Sequence, residues 1–424
     1  MKNHNRTRRI LAMALAMLLL SVACLPTLVS CAEAGATGGA TTLYVYNWGE
    51  YMEDGTGDNE DVNDMFEQWY FDTYGERVKV NYSTFSSNES MFAKIDSGSS
   101  HYDVIFPSDY MVERLIKEEL LAPLNYENIP NIKNILPEFQ NAAYDPDNNG
   151  DGYNDYSVPY LYGMVGIIYN TTMVDEADTG SWDLMWNEKY AGNILQFNNS
   201  RDAFGTAQYY LGTDVNSENE ADWRAALDKL KEQKPILQGY VMDEIFNKME
   251  NGSAAIAAYY AGDFLAMYEN NEDLEFFYPE EGTNLYVDAM CIPKGSKNQT
   301  IAERYINFML SVDEDYGAPA IANAEYTYYA SPNAAVLASD DYIDYMNSIK
   351  EGGFDTMYDT DAIPTSAYEN LDDDKLILLN DLWENLKSDV TVTAGIYIIC
   401  GTIVLTLAAL GTFLGIRKRV RDRY

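Results

Sequence analysis

From residue 42 onward the chain switches repeatedly between two hydrophobic periods. TLYVYNW (42–48) alternates apolar and polar positions as a half-buried strand does, and DVNDMFEQWYFDTYG (61–75) spaces its apolar residues along one helix face before a glycine stop. RVKVNYSTF (77–85) returns to the strand period, ESMFAKIDSG (89–98) to the helical one, and YDVIFPS (102–108) reads as a short buried strand ahead of the helix MVERLIKEELL (111–121). The same texture resumes after Val158: GIIYN (166–170) and NILQF (193–197) are strands. SWDLMWNEKY (181–190), DAFGTAQYYLG (202–212) and ADWRAALDKLKEQ (221–233) are helices, and SAAIAAYYAGDFLAMYEN (253–270) is a strand running into a helix. LYVDAMCIPKG (285–295) followed by TIAERYINFMLS (300–311) repeats strand then helix. This βαβ order predicts an α/β protein with a mainly parallel sheet, most simply two lobes of similar content. Open α/β sheets bind ligands beyond the C-terminal ends of their strands, so the cleft between the lobes is the expected site.

The two ends break the pattern. MKNHNRTRRILAMALAMLLLSVACLPTLVSC (1–31) has a basic start, an apolar run and small residues before a cysteine, the layout of an export signal. Leu28, Val29, Ser30 and Cys31 fit a lipobox, with Cys31 the acylated residue; Cys24 is the alternative acceptor, but lacks the aliphatic residue three places before it. AEAGATGGAT (32–41) reads as a flexible tether. Val390 to Ile416 carries no charge and exceeds the ~20 apolar residues of a membrane-crossing helix. The basic tail RKRVRDRY (417–424) would then stay in the cytoplasm, which predicts an extracytoplasmic body anchored to the cell membrane.

Charge sharpens the picture once the ends are set aside. The formal net charge is −39; removing the nine basic residues and one acidic residue of the ends leaves 19 basic against 66 acidic residues, a formal −47. Nucleic acid and anionic substrates are excluded as partners by such a surface, whereas cations are concentrated near it. Of four cysteines only Cys291 lies in the body, so no intramolecular disulfide forms there. His101 is the only histidine outside the signal, which argues against a histidine-based hydrolase or a multi-histidine zinc site.

Two stretches carry candidate chemistry. YNWGEY (46–51) sets Glu50 between aromatic rings just past the first strand, and a carboxylate there is costly unless a cation or strong donors meet it. Trp48 as core and Glu50 as a solvated turn residue is the competing reading. DPDNNGDGYNDYS (145–157) places Asp145, Asp147, Asn149, Gly150 and Asp151 as at the start of a calcium loop, with Asp155 near its end. Tyr156 stands where the bidentate glutamate belongs, so a structural calcium and a polar hairpin turn are both open.

YNWGEY, STFSSNESMFAKI, YDVIFPSDYMV, DYSVPYLYG, NNSRDAFGTA, LYVDAMCIP and TYYASPNAA follow one another in an order that resembles the spermidine/putrescine-binding proteins of bacterial ABC importers, over about residues 42 to 387. The resemblance implies the two-lobed type II periplasmic-binding-protein fold with an inter-lobe ligand cleft. Lobe one would take residues 41–163 and 288–333, and lobe two 164–287 and 334–388. It implies no catalytic residues and no required cofactor. The expected ligand is a polyamine, the partners are a permease and its ATPase, and the body acts as a monomer. Carried over residue by residue, Trp48 walls the ligand, Glu50 pairs with a terminal ammonium and Tyr51 lines the same end; Gly49 departs from the expected threonine. Ser108 and Tyr110 line the cleft after a strand. Asn199 and Asp202 fall at two acidic positions, one now an amide and the other a methylene shorter. Tyr260 and Tyr286 replace tryptophans, Asp288 shares a strand face with Tyr286, and Tyr329 is a further aromatic wall. Glu369, at a glutamine position, could offset the charge lost at Asn199. Such residues suit a polyamine: carboxylates meet its ammoniums, and aromatic faces enclose its methylenes and attract its charges. Other classes stay open on the residues alone. These are an importer component for a neutral sugar or monoamine, a glycan-active enzyme using paired carboxylates, and a calcium-dependent adhesion module.

Overall fold

The computed structural model describes residues 39–55, 61–361, 363–388 and 402. The first half runs β1 (Thr41–Trp48), α1 (Val62–Tyr74), β2 (Val78–Phe85), α2 (Asn88–Asp96), β3 (Val104–Ile105) and α3 (Asp109–Lys117). After a loop region come β4 (Ser157–Asn170), β5 (Ile194–Phe197), α4 (Ser200–Leu211), α5 (Glu220–Gln233), β6 (Leu237–Val241) and α6 (Glu244–Glu250). β7 (Ile256–Tyr260), α7 (Ala261–Asn270), β8 (Leu274–Phe277), β9 (Thr283–Cys291) and α8 (Gln299–Met309) follow. The chain closes with α9 (Pro319–Thr327), α10 (Ala334–Leu337), α11 (Asp340–Ile349), α12 (Gly353–Tyr358), β10 (Thr365–Ser366) and α13 (Asp373–Ser388).

Local sequence sets these boundaries. The Asp61 side chain accepts from Asn63 N to start α1, and Gly75, left-handed, ends it. Ser87 and Ser90 cap α2 reciprocally, and Asn199 caps α4 by accepting from Asp202 N at 2.8 Å. The strands form the order β2-β1-β3-β9-β4-β7-β5-β6, with β10 beside β9 and β8 beside β4. β1 pairs parallel with β2 and β3, and β5 with β6 and β7. β4 runs antiparallel to β9, β7 and β8, so the sheet is mixed where the sequence pattern predicts a mainly parallel one. The cause is the pair β4 and β9: β4 is fourteen residues long and almost wholly buried, and passes from one half of the two-lobed α/β fold to the other.

Two further expectations are corrected. SWDLMWNEKY forms two short 3-10 turns, Trp182–Trp186 and Glu188–Tyr190, because Asn187 ends the first and caps the second by accepting from Lys189 N. The expected C-terminal membrane helix, and the cytoplasmic tail that depends on it, are not carried by the fold: among the described residues no helix is long and apolar enough to cross a membrane. The last long helix, α13, is amphipathic and buries Leu379, Leu382 and Leu386 in a cluster with Trp223 and Leu230 of α5. Residues 390–416 apart from 402, and residues 417–424, lie outside the described residues, as do the signal 1–31, with Cys31, and most of the tether.

Candidate functional site

Strands β1, β2, β3, β5 and β7 send their C-terminal ends toward one cleft, whose open space out to the mouth is ≈ 850 Å³. Four helices begin there, and each carries a carboxylate in its first turn: Glu89 on α2, Asp109 on α3, Asp202 on α4 and Asp263 on α7. A helix N-terminus bears partial positive charge, so each acid is locally favoured. With Glu50, Asp243 and Asp288 they make, among the described residues, seven carboxylates against one guanidinium, Arg201, in the lining.

YNWGEY turns at the end of β1 because Asn47, fully buried, holds it: its Oδ1 accepts from Trp48 N at 2.8 Å and its amide reaches the Tyr51 carbonyl. The Tyr160 hydroxyl donates to that carbonyl at 3.1 Å. Trp48 packs on Phe85 with its Nε1 lacking a partner among the described residues. Glu50 is exposed at the mouth with φ 50, a left-handed conformation unusual for a side-chain-bearing residue, and accepts from the Tyr326 hydroxyl at 3.3 Å. Tyr51 is turned inward and donates to Asp288 Oδ2 at 2.8 Å, and Ser108 stands beside Asp288 through an isolated antiparallel bridge. Asp288 Oδ1 is buried with no partner among the described residues, and burial pushes this carboxyl up to about 6.

The walls between these acids are aromatic. Tyr51 meets Tyr329 edge-on with ring centroids 4.9 Å apart, and Tyr260 meets Tyr286 at 5.4 Å. Tyr329 fits because residue 262 is glycine: a Cβ there would stand 2.3 Å from its ring. Asp263 follows immediately. Burial, then the nearby Asp243 and Glu50 charges, push it up to about 8 against the opposing Tyr329 hydroxyl. Asp109, at the start of α3, is likewise raised to about 8 by burial.

At the far end, Asp202 Oδ2 accepts from Asn199 Nδ2 at 2.6 Å and from the Tyr260 hydroxyl at 2.7 Å. Tyr110 donates to Glu89 at 3.0 Å. Arg201 spends its NH groups on Val215 O, Asn216 and the Glu369 carbonyl, and its guanidinium stacks over Tyr368. The cleft thus gathers Trp48, Glu50, Tyr51, Ser108, Tyr110, Asn199, Asp202, Tyr260, Tyr286, Asp288 and Tyr329. Glu369 is exposed outside it, and Tyr368, one residue earlier, faces in.

The 145–157 loop is satisfied from within. Buried Asp145 accepts from Asp155 N, Tyr156 N and Ser157 Oγ, and Asp147 from Gly150 N and Gly152 N. Asn149 donates to Asp155 at 2.9 Å, while Asp151 accepts from Tyr153 N. Among the described residues no group of three or more histidine, cysteine or acidic side chains is arranged to hold a metal ion.

Sequence reasoning missed Glu89, Asp109, Asp243, Asp263 and Tyr368. Three of these carry a readable signal, an acid in the first turn of a helix that directly follows a strand. Asp243 and Tyr368 sit in irregular segments where no period marks a face.

A family profile for bacterial extracellular solute-binding proteins matches residues 48–350. The spermidine/putrescine-binding periplasmic protein of Salmonella typhimurium is 31% identical over 295 residues, covering 69% of this chain and 78% of that protein. A putrescine/cadaverine-binding protein of Pseudomonas aeruginosa is 31% identical over 321 residues, covering 72% and 83%. Among solved structures, the spermidine/putrescine ABC transporter substrate-binding protein of Streptococcus pneumoniae, crystallised with calcium and HEPES, superposes with TM-score 0.62 and 34% identity, covering 82% of this chain and 99% of that one. The expectation of a binding protein without catalytic residues holds, and the glycan-active enzyme falls away: the chain belongs to the bacterial extracellular solute-binding proteins.

Proposed function

We propose that the protein captures polyamines outside the cell and delivers them to an ABC importer's permease and ATPase. The observation that carries this reading is the cleft itself, where the described residues set seven carboxylates to one guanidinium, interleaved with tyrosine rings. A neutral sugar would leave Asp288 and Asp263 enclosed without a counter-charge, at a cost that falls on the wrong ligand. A linear polyamine supplies ammoniums to Glu50 and Asp263 at one end, to Asp288 in the middle and to Asp202 and Glu89 at the other. Its methylenes lie along Tyr51, Tyr260, Tyr286 and Tyr329, and each cation over a ring gains roughly 0.5–2 kcal/mol. Closure of a lobe of 41–163 and 288–333 onto one of 164–287 and 334–388 encloses the ligand, with the body acting as a monomer.

Cys31 is proposed as the acylated attachment point, checked by incorporation of labelled fatty acid into the wild type but not Cys31→Ser. The reading requires no cofactor. A calcium ion in the 145–155 loop would have to displace the backbone donors now held by Asp145 and Asp147. A rise in melting temperature with calcium, reversed by chelator, would support it. The ligand is tested by equilibrium dialysis of the full-length protein against labelled spermidine: retention that unlabelled putrescine competes away and glucose does not supports the proposal, and equal competition by glucose, or no retention, overturns it.

A further inference from the structure

Position 49 holds glycine where the family resemblance leads one to expect threonine, and the vacated space is filled from the facing wall. A Cβ on Gly49 would stand 2.8 Å from Asp243 Oδ2 and 3.6 Å from its Cγ. No backbone need requires the glycine, since its φ is not among the positive ones. Its absent side chain therefore matters as space. Asp243 comes from the turn between β6 and α6, Glu50 from the turn after β1 and Asp263 from the start of α7, and all three line this end of the cleft. Their proximity shows electrostatically: Glu50 raises Asp243, and Asp243 and Glu50 both raise Asp263, in each case after enclosure itself. Among the described residues none of the three is ion-paired to lysine or arginine within 4.0 Å. Beyond them Asp288, 5% exposed, presents an Oδ1 with no partner among the described residues.

We propose that Asp243, whose carboxylate closes on the bare backbone of Gly49, is a specificity-determining residue that gives the Glu50 end capacity for two neighbouring positive charges. The inference rests on the polyamine reading above. A diamine brings one charge to each end of the cleft. A linear triamine brings a terminal ammonium and, a few methylenes along, a secondary ammonium. Three carboxylates with no internal cation balance that pair and are left in mutual repulsion by a single charge. The cleft therefore favours the triamine.

The test is calorimetric titration of the full-length wild type, Asp243→Asn and Gly49→Ala with spermidine and with putrescine. Asp243→Asn removes the charge; Gly49→Ala changes no charge and only displaces the carboxylate. The wild type is expected to prefer spermidine by about tenfold or more, and both variants to shrink that ratio by about fivefold, chiefly through weaker spermidine binding. Binding of both amines with the ratio unchanged in the two variants overturns this inference and leaves the polyamine reading intact. No binding of either amine by the wild type overturns both.

Discussion

At one end of the cleft Asp202 receives two hydrogen bonds on a single oxygen, from Asn199 and Tyr260, with the Arg201 guanidinium in the adjoining position of α4. At the other, Glu50 and Asp263 each meet one tyrosine hydroxyl, and Asp243 stands against the bare backbone of Gly49. The two ends differ less in how many acids they hold than in how far the protein has already satisfied them. A carboxylate with internal donors binds a visiting ammonium by exchange, with small net gain. One held near other carboxylates and short of donors gains most when a cation arrives. On the proposed reading the open end therefore gains more from an arriving ammonium than the satisfied end does.

The largest expected effect lies between the ends. Asp288→Ala removes the buried carboxylate that Tyr51 and Ser108 orient, and should weaken spermidine binding by about a hundredfold in calorimetry. At the two ends, Asp263→Asn should cost about tenfold in affinity, and Asp202→Asn, at a carboxylate already hydrogen-bonded and near Arg201, about threefold. Equal losses at the two positions would break the contrast between the ends. Titration sharpens it further. Asp263 and Asp109 are raised to about 8 and Asp288 to about 6, so protons compete with a cationic ligand across that range. Affinity should fall as pH drops from 8 to 6, and binding near pH 7 should release protons, measured by calorimetry in buffers of different ionisation enthalpy.

The sign for the empty protein is opposite. Its raised carboxyls hold protons more tightly folded than unfolded, so their contribution to stability is fully present below the ordinary carboxylate range and is lost as pH rises through about 6 to 8. The melting temperature of the ligand-free protein should therefore rise on acidification from pH 8 toward pH 5, and a ligand should reverse the trend. The smallest effect is expected at Glu369, which is exposed outside the cleft: Glu369→Gln should leave affinity within about twofold.

The strand and helix periods placed most elements of the fold, because a half-buried strand and an amphipathic helix write their burial directly into residue spacing. They failed at 181–190, where Asn187 caps a second short turn, and in the direction of β4, since antiparallel pairing with β9 depends on a partner more than a hundred residues away. In the cleft, YNWGEY and the Tyr286–Asp288 pair were legible as aromatic and acid on one face. Glu369 lies exposed outside the cleft, in a segment without period, and the neighbouring Tyr368 turns in. Asp243 could not be read at all: it faces Gly49 across nearly two hundred positions of sequence, and no local period marks it.

The most direct measurement is calorimetric titration of the full-length protein and its Asp288→Ala variant with spermidine, putrescine and a neutral sugar at two salt concentrations. Micromolar or tighter binding of a polyamine is the predicted result, with no heat from the sugar, binding weakened about a hundredfold in Asp288→Ala, and weaker association at the higher salt, where steering by the acidic surface is screened within about 10 Å at 0.1 M. No heat from either polyamine, or binding that survives Asp288→Ala unchanged, would contradict the account.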